Sequence, residues 1–324
     1  MNHANRLPGR GRVDRSKPII IQLNGREVPA FEGDTVASAL LANGIVHVGR
    51  SFKYHRPRGV LAAGAEEPNA LLDIDRGQGR REPNNRATVV EAFDGLVARS
   101  QNHWPSLRYD IGTVNDIASP LFSAGFYYKT FMWPAAAWKK VYEPIIRRAA
   151  GLGKAPSRPD PDGYVHSHAH CDVLIAGGGP AGLAAALAAS ADEAQRVILA
   201  DEQNEFGGTL LHDLTSTIDG KNASDWVAET VATLAGRKNV RLLPRTTAIA
   251  YYNHNHIALN QRMTDHMRHA PPGLARERLW QVRAGKVLVA SGAHERPLVF
   301  ANNDRPGILL AESLRTFINR YGVT

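Results

Sequence analysis

The sequence predicts an α/β chain in two parts: a small α+β domain first, then an open α/β domain built on a parallel sheet. Three observations predict it. Two short β-rich runs joined by Asn24-Gly25 lead directly into a capped helix pattern. An apolar run from Asp172 to Ala176 ends in a glycine-rich turn that opens an alanine-rich helix. Beyond that helix, strand and helix patterns alternate as a parallel sheet requires.

The elements follow in chain order. Residues 1–17 are rich in Arg, Gly, Asn and Pro without periodicity, and read as a disordered tail. Ile19 to Leu23 and Glu27 to Phe31 form a hairpin, and "DTVASALLANG" a short helix with Asp34 or Thr35 as cap and Gly44 as stop. Strand, strand, helix opens a ubiquitin-like or ferredoxin-like (β-grasp) domain over residues 18–100, closed by short strands near Gly59–Leu61, Ala70–Ile74 and Thr88–Ala92. Residues 101–165 are a connector and linker. Ten of the chain's 23 aromatic residues lie between Trp104 and Tyr142, among them Trp133, Trp138 and the Tyr127–Tyr128 pair, a density expected of a segment packed across its own domains. Gly151–Gly163 is a Pro- and Gly-rich linker.

Residues 166–324 carry the α/β pattern. Asp172–Ala176 and Arg196–Ala200 are strands on either side of a helix at Gly182–Ser190. Ser224–Gly236 is a second helix with Ser224 as its cap, and Val240–Leu243 a third parallel strand. Thr246–Tyr251, His256–Gln261 and Leu279–Arg283 read as an antiparallel meander, Lys286–Ala290 as a return strand, and Leu309–Arg320 as a closing helix.

Composition narrows the class. A single cysteine, Cys171, excludes a disulfide framework and a four-cysteine cluster within this chain, and with no apolar signal at the N-terminus it points to the reducing cytoplasm. Val173–Ala191 is 19 residues without a charge, but Gly177, Gly178, Gly179, Pro180 and Gly182 interrupt it, so it is read as strand, turn and helix, not a membrane span. The net charge is +8, and residues 1–60 carry ten Lys/Arg against four Asp/Glu. No nucleic-acid motif accompanies that surplus, so a solvated tail and docking loop is the expected reading.

The chemistry concentrates at Gly177-x-Gly179-x-x-Gly182. A lone GxGxxG is weak evidence, but this one follows a strand and opens a helix. Gly177 permits the tight turn, Gly179 lets a pyrophosphate approach, and Gly182 lets the helix lie close to the strand. Pro180 and Ala181 start that helix, whose N-terminus offers N–H groups to phosphates. Asp201 ends the second strand 19 residues after Gly182, placed to accept from a ribose diol, with Glu202 a less favoured substitute. "EFGGTL" brings Gly208 and Thr209, and "KVLVASGAHERP" brings Ser291 and Gly292 where backbone can pass close to a nucleotide. These pieces and the meander resemble the FAD domain of the glutathione and thioredoxin reductases. An acid at position 201 suits either ribose, so the residues leave FAD and NAD open.

Other groups carry less. His166, His168 and His170 alternate and would share one face of an extended chain, open to a zinc or copper reading or to a plain strand approach. Cys171 before a core strand is read as a buried inert thiol. No Cys-x-x-Cys is present, which excludes the familiar disulfide-reductase chemistry, and neither a catalytic residue nor a metal ligand is assigned.

Four stretches in order, "GRSFKYHRPRGV" (Gly49–Val60), "SPLFSAGFYYKTFMWP" (Ser119–Pro134), "HAHCDVLIAGGGPAGLAAA" (His168–Ala186) and "SGAHERPLVFANNDRPGILLA" (Ser291–Ala311), resemble the α subunit of heterotetrameric sarcosine oxidase. The resemblance implies an oxidoreductase acting on CH–NH donors: a complex of α, β, γ and δ subunits that oxidises sarcosine with O2 to glycine and hydrogen peroxide, passing a one-carbon unit to tetrahydrofolate. It implies FAD in the β subunit, FMN at the α/β contact, and NAD+ in the α subunit's own domain, cradled by Gly177, Gly179, Gly182 and Asp201 with Glu202, Gly208 and Thr209 nearby. Two departures stand out. "RGVLAAGAEEPNALL" has no cysteine where relatives would ligate a [2Fe–2S] cluster, so a cysteine-free ferredoxin-like domain without a cluster is expected. The family continues beyond position 324, so the Rossmann-like FAD/NAD(P)-binding domain is expected to be incomplete, the chain a fragment, and the isolated chain inactive. Two other readings remain, an independent FAD-dependent NAD(P)H oxidoreductase and a non-catalytic binding module docking its basic N-terminal residues on an acidic partner.

Overall fold

The computed structural model of the protein describes residues 4–121, 125, 131, 133–149, 151 and 153–324. Two compact units emerge: Met1–Pro161 together with Glu295–Thr324, and Asp162–His294. The Tyr127–Tyr128 pair and much of the Ser119–Pro134 motif lie outside the described residues.

In the first unit, β1 (Asp14–Leu23) and β2 (Arg26–Glu32) form the expected hairpin. Asn24 and Gly25 both take positive φ, the conformation a type I′ turn needs to follow the strand twist. Helix α1 (Val36–Ala42) starts at Thr35, whose hydroxyl and the Ser38 side chain form a reciprocal capping box, and every residue of the helix is buried. Strands β3 (Leu71–Asp75), β4 (Arg81–Arg86) and β5 (Val97–Ser100) complete a mixed sheet in the order β2-β1-β5-β3-β4. Only β1 and β5 run parallel; the other neighbours are antiparallel. A mixed sheet of this order with a buried helix is a β-grasp fold, its core formed by Ile21, Val28, Leu40, Leu72, Ile74 and Leu96.

Two expected strands are not formed. Gly59–Leu61 is loop, and residues 87–90 serve the helix instead. The carbonyls of Val90 and Ala87 accept from Val36 and Ala37 N–H at 2.9 Å each, satisfying donors that the start of a helix leaves free.

Both ends of the chain also differ from the sequence reading. Residues 1–17 were expected as a tail, yet β1 starts at Asp14, and Leu7 and Arg12 N–H donate to the carbonyls of Gly322 and Arg320. Arg6 places its guanidinium on Asp34 at 2.7 and 3.0 Å, with side chains 3% and 0% exposed. The closing helix begins two residues later than expected: α4 (Ala311–Thr316) runs on as a wider helical turn over Phe317–Tyr321. Phe317, Tyr321 and Val323 then enter the core of the first unit, so residues 295–324 cluster with it and not with the α/β unit. Burial of those three apolar side chains outweighs sequence proximity.

The aromatic connector does not pack as expected at three of its described rings: Trp104, Tyr109 and Trp133 are exposed. Its first part is fixed by polar groups instead. The Asp110 side chain, 1% exposed, accepts from His55 Nδ1 at 2.6 Å and from Trp104 N–H at 3.0 Å, while Arg50 donates to the carbonyls of Leu107 and His55.

The second unit is one six-stranded sheet. Its elements are β6 (Tyr164–Ala176), α2 (Pro180–Ala189), β7 (Val197–Ala200), α3 (Ala223–Gly236), β8 (Val240–Leu243), β9 (Thr246–Tyr252), β10 (His256–Arg262) and β11 (Glu277–Val289). The order is β8-β7-β6-β11-β10-β9, with β8, β7, β6 and β11 parallel and the last three an antiparallel meander. The meander strand and the return strand of the sequence reading are one continuous β11, paired with β6 from Tyr164↔Glu277 to Ala176↔Val289. Asn222, not Ser224, stands at the N-cap position of α3, and its side chain makes no capping hydrogen bond. Strand β7 is buried along its whole length, as a strand covered on both faces must be. One face packs Val197 and Leu199 against Leu183, Trp226 and Leu234; the other packs Ile198 and Ala200 with Ile257, Leu259 and Trp280.

Candidate functional site

The chain leaves β6 at Ala176 and turns through three glycines into α2, and those glycines differ in what they accommodate. Gly177 has φ +108°, and a Cβ there would collide with the carbonyl of Ala290. A Cβ on Gly182 would collide with the carbonyl of Gly177, so this residue sets the close approach of helix to strand. Gly179 is different: its φ of −73° and ψ of −171° suit any residue, and a Cβ would meet nothing nearer than Gly208 Cα at 3.9 Å. Neither backbone strain nor protein neighbours demand a glycine at 179.

The electrostatics agree. Gly179 is the N-cap of α2, Pro180 occupies the first turn where a missing N–H costs nothing, and no side chain caps the helix. The first amides, at Ala181 and Gly182, therefore present their N–H groups and the positive end of the helix dipole to an incoming phosphate. This end lies at the carboxyl edge of the parallel strands, where open α/β sheets bind ligands.

Asp201 follows directly on β7 and is buried. Its Oδ2 accepts from Gly178 N–H at 2.5 Å and its Oδ1 from Gln203 N–H at 2.8 Å. The acid expected to face a ribose thus also clamps the glycine turn. Gly207 N–H donates to the Gly178 carbonyl at 2.8 Å, and Gly208, with φ +55°, lies so near Gly179 that a Cβ would come within 2.8 Å of its Cα. Thr209 follows, exposed, and Glu202 is exposed with its carbonyl taken by Arg262. Ala290 N–H donates to the Ala176 carbonyl, which brings Ser291 beside Gly177, with Ser291 and Gly292 both exposed. Gly177, Gly179, Pro180, Ala181, Gly182, Asp201, Gly208, Thr209 and Ser291 therefore gather around one turn.

Sequence reasoning missed two contributors. The buried Phe206 ring sits against Gly178, where a Cβ would collide with it, and the Ala290 carbonyl closes on Gly177. An aromatic directly before Gly207-Gly208 in an otherwise polar run was the available signal for Phe206.

The remaining candidates stand apart from this turn. His166, His168 and His170 are exposed along the first half of β6; the latter two share a shallow depression with His256, Gln281 and Arg283. Among the described residues, no group of three or more His, Cys, Asp or Glu side chains is placed to hold a metal ion. Burial, with Asp172 beside it, pushes the Cys171 thiol up to about 11, which keeps it protonated and unreactive. No helix among the described residues is long and apolar enough to cross a membrane.

A β-grasp domain followed by a glycine-turn α/β domain of this topology defines the class of fold. Comparison with known proteins agrees. Residues 16–103 match the 2Fe-2S iron-sulfur cluster binding domain family, and residues 172–281 match the FAD dependent oxidoreductase family. The chain is 58% identical over 98% of its length to the sarcosine oxidase subunit alpha of Rhizobium meliloti, and 39% identical over 99% to that of a Corynebacterium species. It spans 32% and 29% of the length of these relatives. The L-proline dehydrogenase of P. horikoshii shares the fold, with a TM-score of 0.66 at 20% identity, over 99% of this chain and 49% of that one. The resemblance carried by the four sequence motifs thus extends over nearly the whole chain, which is similar to about a third of a sarcosine oxidase α subunit.

The first family match names a group that the residues present do not fit. A [2Fe–2S] cluster is held by cysteine thiolates. The single cysteine of this chain, Cys171, lies outside residues 16–103.

Proposed function

We propose that this chain is a segment of the α subunit of a sarcosine-oxidising complex, and that its own contribution is to hold the ADP part of a dinucleotide. The observation that carries the binding site is the glycine at 179, which no neighbour among the described residues requires and which leaves the uncapped start of α2 open to a pyrophosphate. Ala181 and Gly182 N–H would take the phosphates, Asp201 the ribose hydroxyls, and Gly208, Thr209 and Ser291 would line the approach. NAD+ is the nucleotide that the resemblance implies for this domain. FAD is the second reading, favoured by the match of residues 172–281 to FAD dependent oxidoreductases. In the complex of α, β, γ and δ subunits, in the cytoplasm, the amine chemistry would use FAD held by the β subunit and FMN at the α/β contact. Oxygen would be reduced to hydrogen peroxide as sarcosine is converted to glycine and a one-carbon unit for tetrahydrofolate.

The test is the nucleotide itself. The chain is denatured and the released compound identified by chromatography and absorption, and the stripped chain is titrated with NAD+, FAD and ADP-ribose. Retention of NAD+ supports the first reading, a flavin spectrum supports the second, and binding of neither removes the site. Supplied with sarcosine and oxygen but no partner subunits, the chain is expected to form no peroxide.

A further inference from the structure

Glu67 lies in the loop that the 2Fe-2S family match covers, and it is 1% exposed. Its carboxylate accepts four backbone N–H groups. Oε2 takes Leu61 and Ala62 at 2.7 Å each, and Oε1 takes Asn69 at 2.7 Å and Ala70 at 2.8 Å. A buried anion survives only when its oxygens are fully hydrogen-bonded, and four short bonds to main-chain donors do that without a cationic partner.

We infer that Glu67 supplies, in this cysteine-free domain, the buried negative centre around which residues 59–70 fold, the role that a cluster and its sulfurs fill where thiolates hold one. An iron–sulfur cluster is likewise an anionic centre hydrogen-bonded through its sulfurs. Here the inward N–H groups of both arms of the loop close on one carboxylate. The domain keeps its fold and carries no redox centre.

The loop gains a second task. Leu61, held through its N–H by Glu67, accepts from Leu310 N–H at 2.9 Å. Arg58 donates to the Asp304 carbonyl at 3.0 Å, and a Cβ on Gly59 would come within 2.8 Å of Pro306 Cα. Glu67 is thus a positioning residue: it shapes the surface on which residues 304–310 of the same unit rest.

Two measurements on the full chain test this. Anaerobic incubation with ferrous iron and sulfide, followed by desalting, is expected to leave no bound iron and no visible absorption; a retained cluster overturns the inference. Amide hydrogen exchange is expected to show Leu61, Ala62, Asn69 and Ala70 protected in the native chain. In Glu67→Gln, where an NH2 group replaces one acceptor, these four amides are expected to exchange roughly 100-fold faster, with Ile21 in the sheet unchanged. The melting temperature of the variant should fall on the order of 10 °C. Native exchange of the four amides as fast as an exposed loop, or an unchanged exchange pattern in a folded Glu67→Gln, overturns it. If the variant does not fold, the native protection decides.

Discussion

A methyl group added at Gly179 or at Gly182 would differ in its cost to stability, although only three positions separate them. At Gly182 it meets the Gly177 carbonyl, which belongs to the turn and cannot yield. Gly182→Ala should cost on the order of 2–3 kcal/mol of stability, as overpacking does, and lose nucleotide affinity with it. At Gly179 it meets only van der Waals distance from Gly208. Gly179→Ala should melt within about 1 kcal/mol of the native chain yet bind nucleotide at least roughly tenfold more weakly, because the methyl enters the ligand's approach. Thermal melts paired with NAD+ and FAD titrations separate the two outcomes, and a Gly179→Ala chain with full affinity would remove the site from this turn. The thiol of Cys171 gives a second residue-scale prediction. With its pKa pushed up to about 11, alkylation at pH 8 should run on the order of 100-fold slower in the folded chain than in denaturant.

At the scale of elements, the glycine turn and α2 were legible because their chemistry is local: strand, turn and helix follow one another along the chain. The first part of the connector was not. Its aromatic density predicted packing, but Trp104 and Tyr109 are exposed, and the segment is instead tied down by Asp110, His55 and Arg50, residues far apart in sequence. Two histidines beside that network make it acid-sensitive. Burial lowers the pKa of His47, helped by Arg50, and burial lowers that of His103 against the pull of Asp110. Among the described residues, His47 Nε2 and His103 Nδ1 are buried atoms with no hydrogen-bond partner, so a proton on either is added without a compensating acceptor. A histidine whose folded pKa lies below its unfolded value contributes stability above about pH 6.5, and that contribution is lost as pH falls through the folded value. Melting temperature of the first unit should therefore drop between pH 7 and 5, and His103→Gln should flatten the profile. A melting temperature independent of pH over that range would contradict the account.

On the scale of the whole chain, the first unit is discontinuous, since residues 295–324 return to it. Leu7, Arg12 and Asn5 bond to Gly322, Arg320 and Thr324, and Phe317 shares the core with Ile21 and Leu40. Lys154 lies in an exposed linker. Mild trypsin cutting after Lys154 should yield two pieces that co-elute in native buffer and separate in denaturant. Separation in native buffer would show that the C-terminal segment does not hold the N-terminal one.

By itself the sequence determined what depends on neighbours along the chain: the hairpin at Asn24-Gly25, the helix start at Asp34 or Thr35, the order of strands and helices from Asp172 to Leu243, and the glycine turn from Gly177 to Gly182. Each is written in dihedral preference, capping chemistry or short-range periodicity. Only the tertiary structure decided that one strand from Glu277 to Val289 joins meander to parallel sheet, that residues 87–90 serve a helix, that Glu67 gathers four amides, and that the C-terminal residues pack under the N-terminal ones. Those outcomes turn on where buried donors find acceptors and where apolar side chains find cover, and both partners come from distant parts of the chain.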